Sequence, residues 1–128
     1  MELARNFKTV SPLTADFSGL GALILEGAAV AEPSLWTAYR NGGLSPEALA
    51  MLPDTQKYCL ADLARPGSFG GIAPGHLEGE RADEYLPAVY SVLDRNDPRT
   101  LKLPGVPVRL DQGSNDLVVW VSHTTAVG

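Results

Sequence analysis

The sequence predicts a mainly helical fold with one or two short β-strands near the C-terminus. Three observations support this prediction. Apolar residues recur at helical spacing in several segments, proline and glycine clusters separate these segments, and an apolar, β-branched stretch follows near the C-terminus. The chain has 128 residues, of which 45% are hydrophobic and 20% are charged, so it can bury one core.

The first predicted helix begins after Thr14 or Asp16, either of which can cap it, and runs to about Ala31. Residues 1–15 show no clear period. The predicted apolar face consists of Phe17, Leu20, Ile24, Ala28 and Ala31. Each glycine in a helix interior costs about 1 kcal/mol against alanine, and this segment has three. We therefore expect close packing against a neighbour, rather than a ligand contact, at Gly19, Gly21 and Gly27.

Short helices separated by turn residues are predicted next. Glu32-Pro33 ends the first helix, and Ser34 caps a second one that stops at Asn41-Gly42-Gly43. Ser45 is the predicted N-cap of a third helix, with Pro46 in its first position. Pro53 breaks or kinks that run. Asp54 then restarts a helix through Arg65, with core candidates at Tyr58, Leu60 and Leu63.

Cys59 is the only cysteine, so the chain can form no internal disulfide. We expect it to be a small buried apolar residue rather than a reactive thiol. A single cysteine fits a cytosolic protein. It also fits a secreted protein whose partner cysteine lies outside these residues.

Residues 65–79 form a predicted loop, because five glycines and two prolines fall within them. The loop lacks the Gly-Lys-Ser/Thr of a phosphate-binding loop, and His76 stands alone, without partners at metal-ligand spacing. We therefore expect a surface histidine and neither a metal nor a cofactor. The segment ADEYLPAVYSVLDRN, residues 82–96, predicts a further helix whose regular part begins at Pro87 and which ends at Asn96-Asp97-Pro98. Its apolar positions are Val89, Tyr90, Val92 and Leu93. Val108 and Leu110 then predict a short strand that ends at Gly113.

The charge pattern excludes some classes of function. The net charge is −5, the pI is about 4.8, and the basic residues form no run, so we expect no nucleic-acid partner. The most apolar stretch, residues 20–31, carries Glu26 and is too short to span a bilayer. The N-terminus lacks the long apolar core of a signal peptide.

Asp116 follows the predicted strand in a loop, a place that often carries catalytic groups. Considered alone, Asn115-Asp116 also fits a simple turn in which a side chain binds the local backbone. However, PVRLDQGSNDLVV, residues 107–119, resembles the acid-bearing segment of α/β-hydrolases. FSGLGALILEGAAVAEPSL, residues 17–35, and YCLADL, residues 58–63, resemble cap helices of the secretory lipase family. The resemblance covers roughly residues 10–121 and is weakest from Gly67 to Thr100.

This resemblance implies a helical cap, or lid, of an α/β-hydrolase. The expected regions are an N-terminal extension at 1–15, the cap at 16–100, and the core strand with its acid loop at 101–128. The resemblance also implies that Asp116 is the catalytic acid of a secreted serine hydrolase, a lipase or esterase that cleaves carboxylic esters of lipids. Two departures are Asp111, where the family strand is apolar, and Trp120-Val121, where prolines are usual.

Two parts of a catalytic triad are missing from the sequence. It contains no Gly-x-Ser-x-Gly elbow, and Ser68 has a proline two residues before it. His123 follows Asp116 by only seven residues, which is too close for this fold. We therefore expect a truncated part of the enzyme that is inactive alone.

Two alternatives remain open. The first alternative to the hydrolase cap is a stand-alone, non-catalytic helical binding or interaction module. The second is an unrelated helical protein in which Asp116 is structural. A cap separated from its core exposes apolar surface, including one side of the first helix and the tail Leu117–Val121. We therefore expect the isolated chain to form a homodimer or larger species, weakened by a charge at Ile24 or Val119.

Overall fold

A computed structural model describes Val10, residues 12–100 and, nearer the C-terminus, residues 102, 104–107, 109 and 111–115. The chain divides into two units, Met1–Arg95 and Asn96–Gly128. Helices dominate the described residues, which confirms the mainly helical prediction. These residues contain no β-strand; their one strand-like pairing is an isolated antiparallel bridge between Leu44 and Glu78. Val108 and Leu110, where a strand was predicted, lie outside the described residues.

The first unit contains helices of very different lengths. Its α-helices are α1 (Pro12–Ala31), α2 (Ser34–Ala38), α3 (Pro46–Met51), α4 (Leu60–Leu63) and α5 (Ala82–Arg95). A π turn, Tyr39–Gly43, continues α2, and 3-10 helices occupy Leu52–Gln56, Phe69–Gly71 and Pro74–His76. In the second unit a 3-10 helix spans Pro98–Thr100.

Helix α1 packs against most other elements of its unit. The predicted helix is confirmed, but it begins at Pro12, so the predicted caps Thr14 and Asp16 lie inside it. Proline suits a first helical turn, where its missing N–H has no intrahelical acceptor. The window Thr14–Ala31 is long and apolar enough to cross a membrane by composition, and 39% of it is buried within the protein. Core helices and signal sequences share this property, so it assigns no location.

The buried face of α1 differs from the predicted one. Of the five predicted positions only Ala28 is fully buried, while Leu20 and Ala31 are exposed. The core side instead carries mainly small residues: Thr14, Ala15, Ser18, Ala22, Leu25, Ala28 and Ala29. Small side chains let neighbouring segments approach the helix axis closely, which apolar spacing alone does not indicate.

Two of the three helix glycines are packing positions, as expected. A Cβ at Gly19 would lie 3.1 Å from Leu60 Cδ1, and one at Gly21 would lie 3.2 Å from Leu77 Cδ1. The expectation was wrong for Gly27, where a Cβ would meet nothing within 4 Å. Gly27 is on the exposed side of α1.

The turn between α2 and α3 follows the sequence closely. Gly42 has a φ of 92°, the left-handed conformation predicted at this end. Ser45 is the N-cap of α3, because its Oγ accepts the N–H of Ala48 at 3.2 Å. Ser34 is not a cap; it is the first residue of α2, and its hydroxyl donates to the Glu32 carboxylate at 2.9 Å.

The helix predicted from Asp54 to Arg65 was largely wrong. Pro53 lies in the first turn of the 3-10 helix Leu52–Gln56, where the Thr55 hydroxyl donates to the Leu52 carbonyl at 2.7 Å. Within the predicted range only α4 is α-helical. Leu63 is buried as predicted, whereas Tyr58 is exposed.

Cys59 is exposed, so its prediction as a buried residue was wrong. It has extended backbone before α4, and its Sγ donates to Asp62 Oδ2 at 3.4 Å. The helix that would have carried it inward is not formed at this position.

Residues 65–79 pack into the core rather than lying over it as a loop. Phe69, Ile72 and Leu77 are buried, and the two 3-10 helices pack against α1. The buried Ser18 hydroxyl donates to the Ile72 carbonyl at 2.6 Å, which fixes this segment to α1. His76 is exposed as predicted.

Helix α5 spans Ala82–Arg95, so the predicted helix is confirmed, but its regular part begins at Ala82 and Pro87 lies inside it. Its inner face contains Val89 and Val92, which are buried as expected. Tyr90 and Leu93 are exposed, so those two predicted apolar positions lie outside the core.

Candidate functional site

The predicted catalytic acid, Asp116, lies outside the described residues, and so does His123. Asp111, the other aspartate of the segment 107–119, is described and lies on the surface. Its Oδ1 accepts Arg109 Nε at 2.9 Å and Arg109 Nη2 at 2.8 Å. The carboxylate of Asp111 therefore forms an exposed ion pair with Arg109.

Ser68 is the serine closest in pattern to a nucleophile, and its surroundings are structural. The side chain is buried, and its Oγ donates to Asp54 Oδ2 at 2.8 Å. A nucleophilic serine needs an adjacent base and access to substrate. The Ser68 hydroxyl instead ties the segment 65–79 to the 3-10 helix Leu52–Gln56.

A groove of about 650 Å³ is lined by the middle of α1, helix α2 with its π turn, helix α3 and the 3-10 helix Leu52–Gln56. We call it the Glu26 groove. Its lining combines apolar and charged side chains: Glu26, Trp36, Arg40, Leu49, Leu52, Pro53 and Gln56. The volume is within the range of small-molecule sites, about 300–1,000 Å³.

Glu26 is the unusual residue of this groove. Its Oε1 accepts Gln56 Nε2 at 2.9 Å, whereas its Oε2 is buried and has no hydrogen-bond partner within the described structure. The neighbouring Tyr39 is completely buried, and its hydroxyl donates to the Leu25 carbonyl at 2.9 Å. Burial raises the pKa of Tyr39, and the negative charge of Glu26 raises it further. The phenol therefore stays neutral beside the carboxylate.

Arg40 gives the groove a positive group. It is exposed, and no ion pair joins it to Glu26 in the described part of the chain. The groove thus presents one carboxylate and one guanidinium that do not neutralise each other by direct contact. Trp36, Leu49 and Leu52 add apolar surface to the lining of the groove.

A second cavity, of about 300 Å³, is more polar. Its lining consists of Ser34, Thr37, Ala38, Asn41, Arg81, Glu84 and Tyr85. Arg81 Nε donates to Glu84 Oε1 at 2.8 Å, and this hydrogen bond holds the pKa of the Glu84 carboxyl below its usual value. The charges of this cavity are therefore paired with each other, unlike those of the Glu26 groove.

Metal-ligand clusters do not occur among the described residues, where no three His, Cys, Asp or Glu side chains converge. The sequence reasoning missed Glu26 as a site residue. The signal was present: LGALILEGAAVA carries one carboxylate within an otherwise apolar helix. Such a carboxylate is costly to bury unless donors meet it.

No family model, curated protein or solved structure matches this chain.

Proposed function

We propose that this chain is the helical cap, together with the strand and acid loop, of a serine hydrolase that cleaves carboxylic esters of lipids. The observation that carries the proposal is the segment 107–119, in which Gln112-Gly113 precedes Asp116 at the spacing of a triad acid. Asp116 orients the catalytic histidine and stabilises its protonated form. The nucleophilic serine and the histidine come from outside these 128 residues.

The helical unit supports the cap part of this proposal by its surface. One side of α1 leaves apolar residues uncovered, with Leu20 37% and Val30 69% exposed and Gly27 between them. These positions follow helical spacing and form one face. In the proposed enzyme this face lies over the acyl-binding cleft, where it receives the fatty chain. The proposed enzyme acts on extracellular lipid, as its resemblance to secretory lipases implies.

The proposal is tested by the product of the complete reading frame that contains this chain. We expect it to hydrolyse p-nitrophenyl esters, while the 128-residue chain alone does not exceed the buffer background. The reason is that the chain has no serine elbow. The Ser68→Ala variant is the matched control for the isolated chain. Activity that survives repurification and disappears in Ser68→Ala would show that the nucleophile was misidentified.

Self-association of the isolated chain is a second expectation. The exposed side of α1 is apolar, and such surfaces bury themselves against a second copy, most simply in a two-fold dimer. We expect a dimer or larger species by analytical ultracentrifugation at tens of micromolar, shifted toward monomer in Ile24→Asp and Val30→Asp. Val106→Asp, at an exposed valine in the other unit, should leave it unchanged. A monomer over the whole concentration range would contradict this expectation.

A second candidate function is a non-catalytic binding module. The Glu26 groove favours it, because it has the size and mixed lining of a ligand site without a nucleophile. The two functions are separated by the assay above: a binding module remains inactive in the product of the complete reading frame.

A further inference from the structure

The Glu26 carboxylate is incompletely satisfied. Burial of a carboxylate is unfavourable unless donors reach both oxygens. Gln56, whose own side chain is exposed, supplies a neutral donor to Oε1, and Oε2 receives none from the described residues. Because Oε2 is closed to solvent, a donor that enters the groove meets the carboxylate at Oε1, where it replaces the neutral Gln56 amide.

We propose that the Glu26 groove binds a zwitterionic amphiphile, in which an ammonium group contacts Glu26, an anionic oxygen contacts Arg40, and a short alkyl chain lies on the apolar wall. This inference concerns binding by the helical unit alone. It holds whether or not the chain belongs to a hydrolase.

The ammonium group is favoured at Glu26 for two reasons. A charged N–H donor forms a stronger hydrogen bond with a carboxylate than the neutral Gln56 amide does. Trp36 lines the same groove, and an indole ring attracts a cation. The ammonium displaces Gln56, whose side chain is exposed and free to turn toward water.

The anionic group is assigned by Arg40. A ligand that carries only a cation would be repelled by the Arg40 guanidinium, which lines the same groove as Glu26. A ligand that carries both charges satisfies Glu26 and Arg40 together. Arginine binds phosphate and carboxylate oxygens well because its planar group offers paired N–H donors.

The alkyl chain is assigned by the apolar part of the lining. Leu49 and Pro53 contribute apolar surface to the groove, and the largely buried Leu52 also lines it. Each methylene group that leaves water for such a surface contributes about 0.8 kcal/mol at most. The ligand is therefore lipid-like, and a water-soluble headgroup without a chain should bind more weakly.

Isothermal titration calorimetry with hexyl phosphoethanolamine, below its aggregation concentration, tests this proposal. We expect saturable binding to the full chain. Hexyl phosphate, which lacks the ammonium group, and phosphoethanolamine, which lacks the chain, should each bind at least about tenfold more weakly.

Variants locate the site. Glu26→Gln should weaken hexyl phosphoethanolamine binding at least about tenfold, while Glu80→Gln, the same change at an exposed glutamate outside the groove, should leave it within about twofold. Because Glu26 is partly buried, thermal unfolding of its variant is measured in parallel. Arg40→Gln changes an exposed side chain and should weaken hexyl phosphoethanolamine without weakening hexylamine.

Three results would overturn the proposal: no saturable binding, hexyl phosphate binding as tightly as the zwitterion, or equal affinity in a folded Glu26→Gln variant. If Glu26→Gln does not fold, equal binding of hexyl phosphoethanolamine by Arg40→Gln overturns it.

Discussion

Asp116→Asn should reduce kcat for ester hydrolysis by about 10³–10⁴-fold in the product of the complete reading frame, because the same change in a serine protease has an effect of this size. The amide cannot hold the histidine in the tautomer that accepts the serine proton. The Michaelis constant should change little, because the acid does not contact the substrate. Steady-state kinetics with a soluble p-nitrophenyl ester measure both quantities.

Asp111→Asn is the matched control for this experiment. It makes the same chemical change five positions earlier, at a carboxylate that lies on the surface and binds Arg109. We expect its kcat to stay within about threefold of the unchanged enzyme, because exposed ion pairs contribute little. Reversed effects of the two substitutions would identify Asp111 as the acid.

Gly70→Ala should remove most of the stability of the helical unit. A Cβ at this position would lie 1.8 Å from the Ala64 carbonyl oxygen, so the backbone must move. We expect a loss of at least about 3 kcal/mol, which corresponds to a melting temperature lower by about 12–24 °C in a unit of this size. Circular dichroism during heating measures the change.

Gly67→Ala is the control, since a Cβ there would meet nothing within 4 Å. It should keep the melting temperature or raise it slightly, because alanine restricts the unfolded chain. Similar melting temperatures for the two variants would contradict the close packing of residues 65–79.

Several helix ends and turns of this protein were predictable from the residues at those positions. Ser45 and Pro46 mark the start of α3, and Gly42 supplies the left-handed turn before it. These features depend on a residue and its immediate neighbours, so the sequence displays them directly. The end of α5 at Arg95 followed from the Asn-Asp-Pro run in the same way.

Burial was harder to predict, because it depends on which segments meet. Large apolar residues suggested a face through Leu20 and Ile24, whereas α1 packs through small ones such as Ser18 and Ala22. The glycine-rich segment 65–79 read as a surface loop. Its glycines instead permit contacts that side chains would block, as the 1.8 Å approach at Gly70 shows.

The candidate site residues show the same difference between local motifs and packing. Asp116 was selected by resemblance to a short motif and lies outside the described residues. The Glu26 groove was not predicted, because it requires α1 to meet residues 36–56, which are distant in sequence. A carboxylate inside an apolar helix was the visible indication, and only the fold shows which oxygen lacks a donor.

Labelling by a fluorophosphonate tests the central claim, that this chain belongs to a serine hydrolase, most directly. The product of the complete reading frame is incubated with the reagent, and its intact mass and peptides are measured. The account predicts one covalent adduct, on a serine of a Gly-x-Ser-x-Gly motif outside these 128 residues, and much slower labelling in Asp116→Asn. A folded product without an adduct, an adduct on Ser68, or a reading frame without such a motif would contradict it.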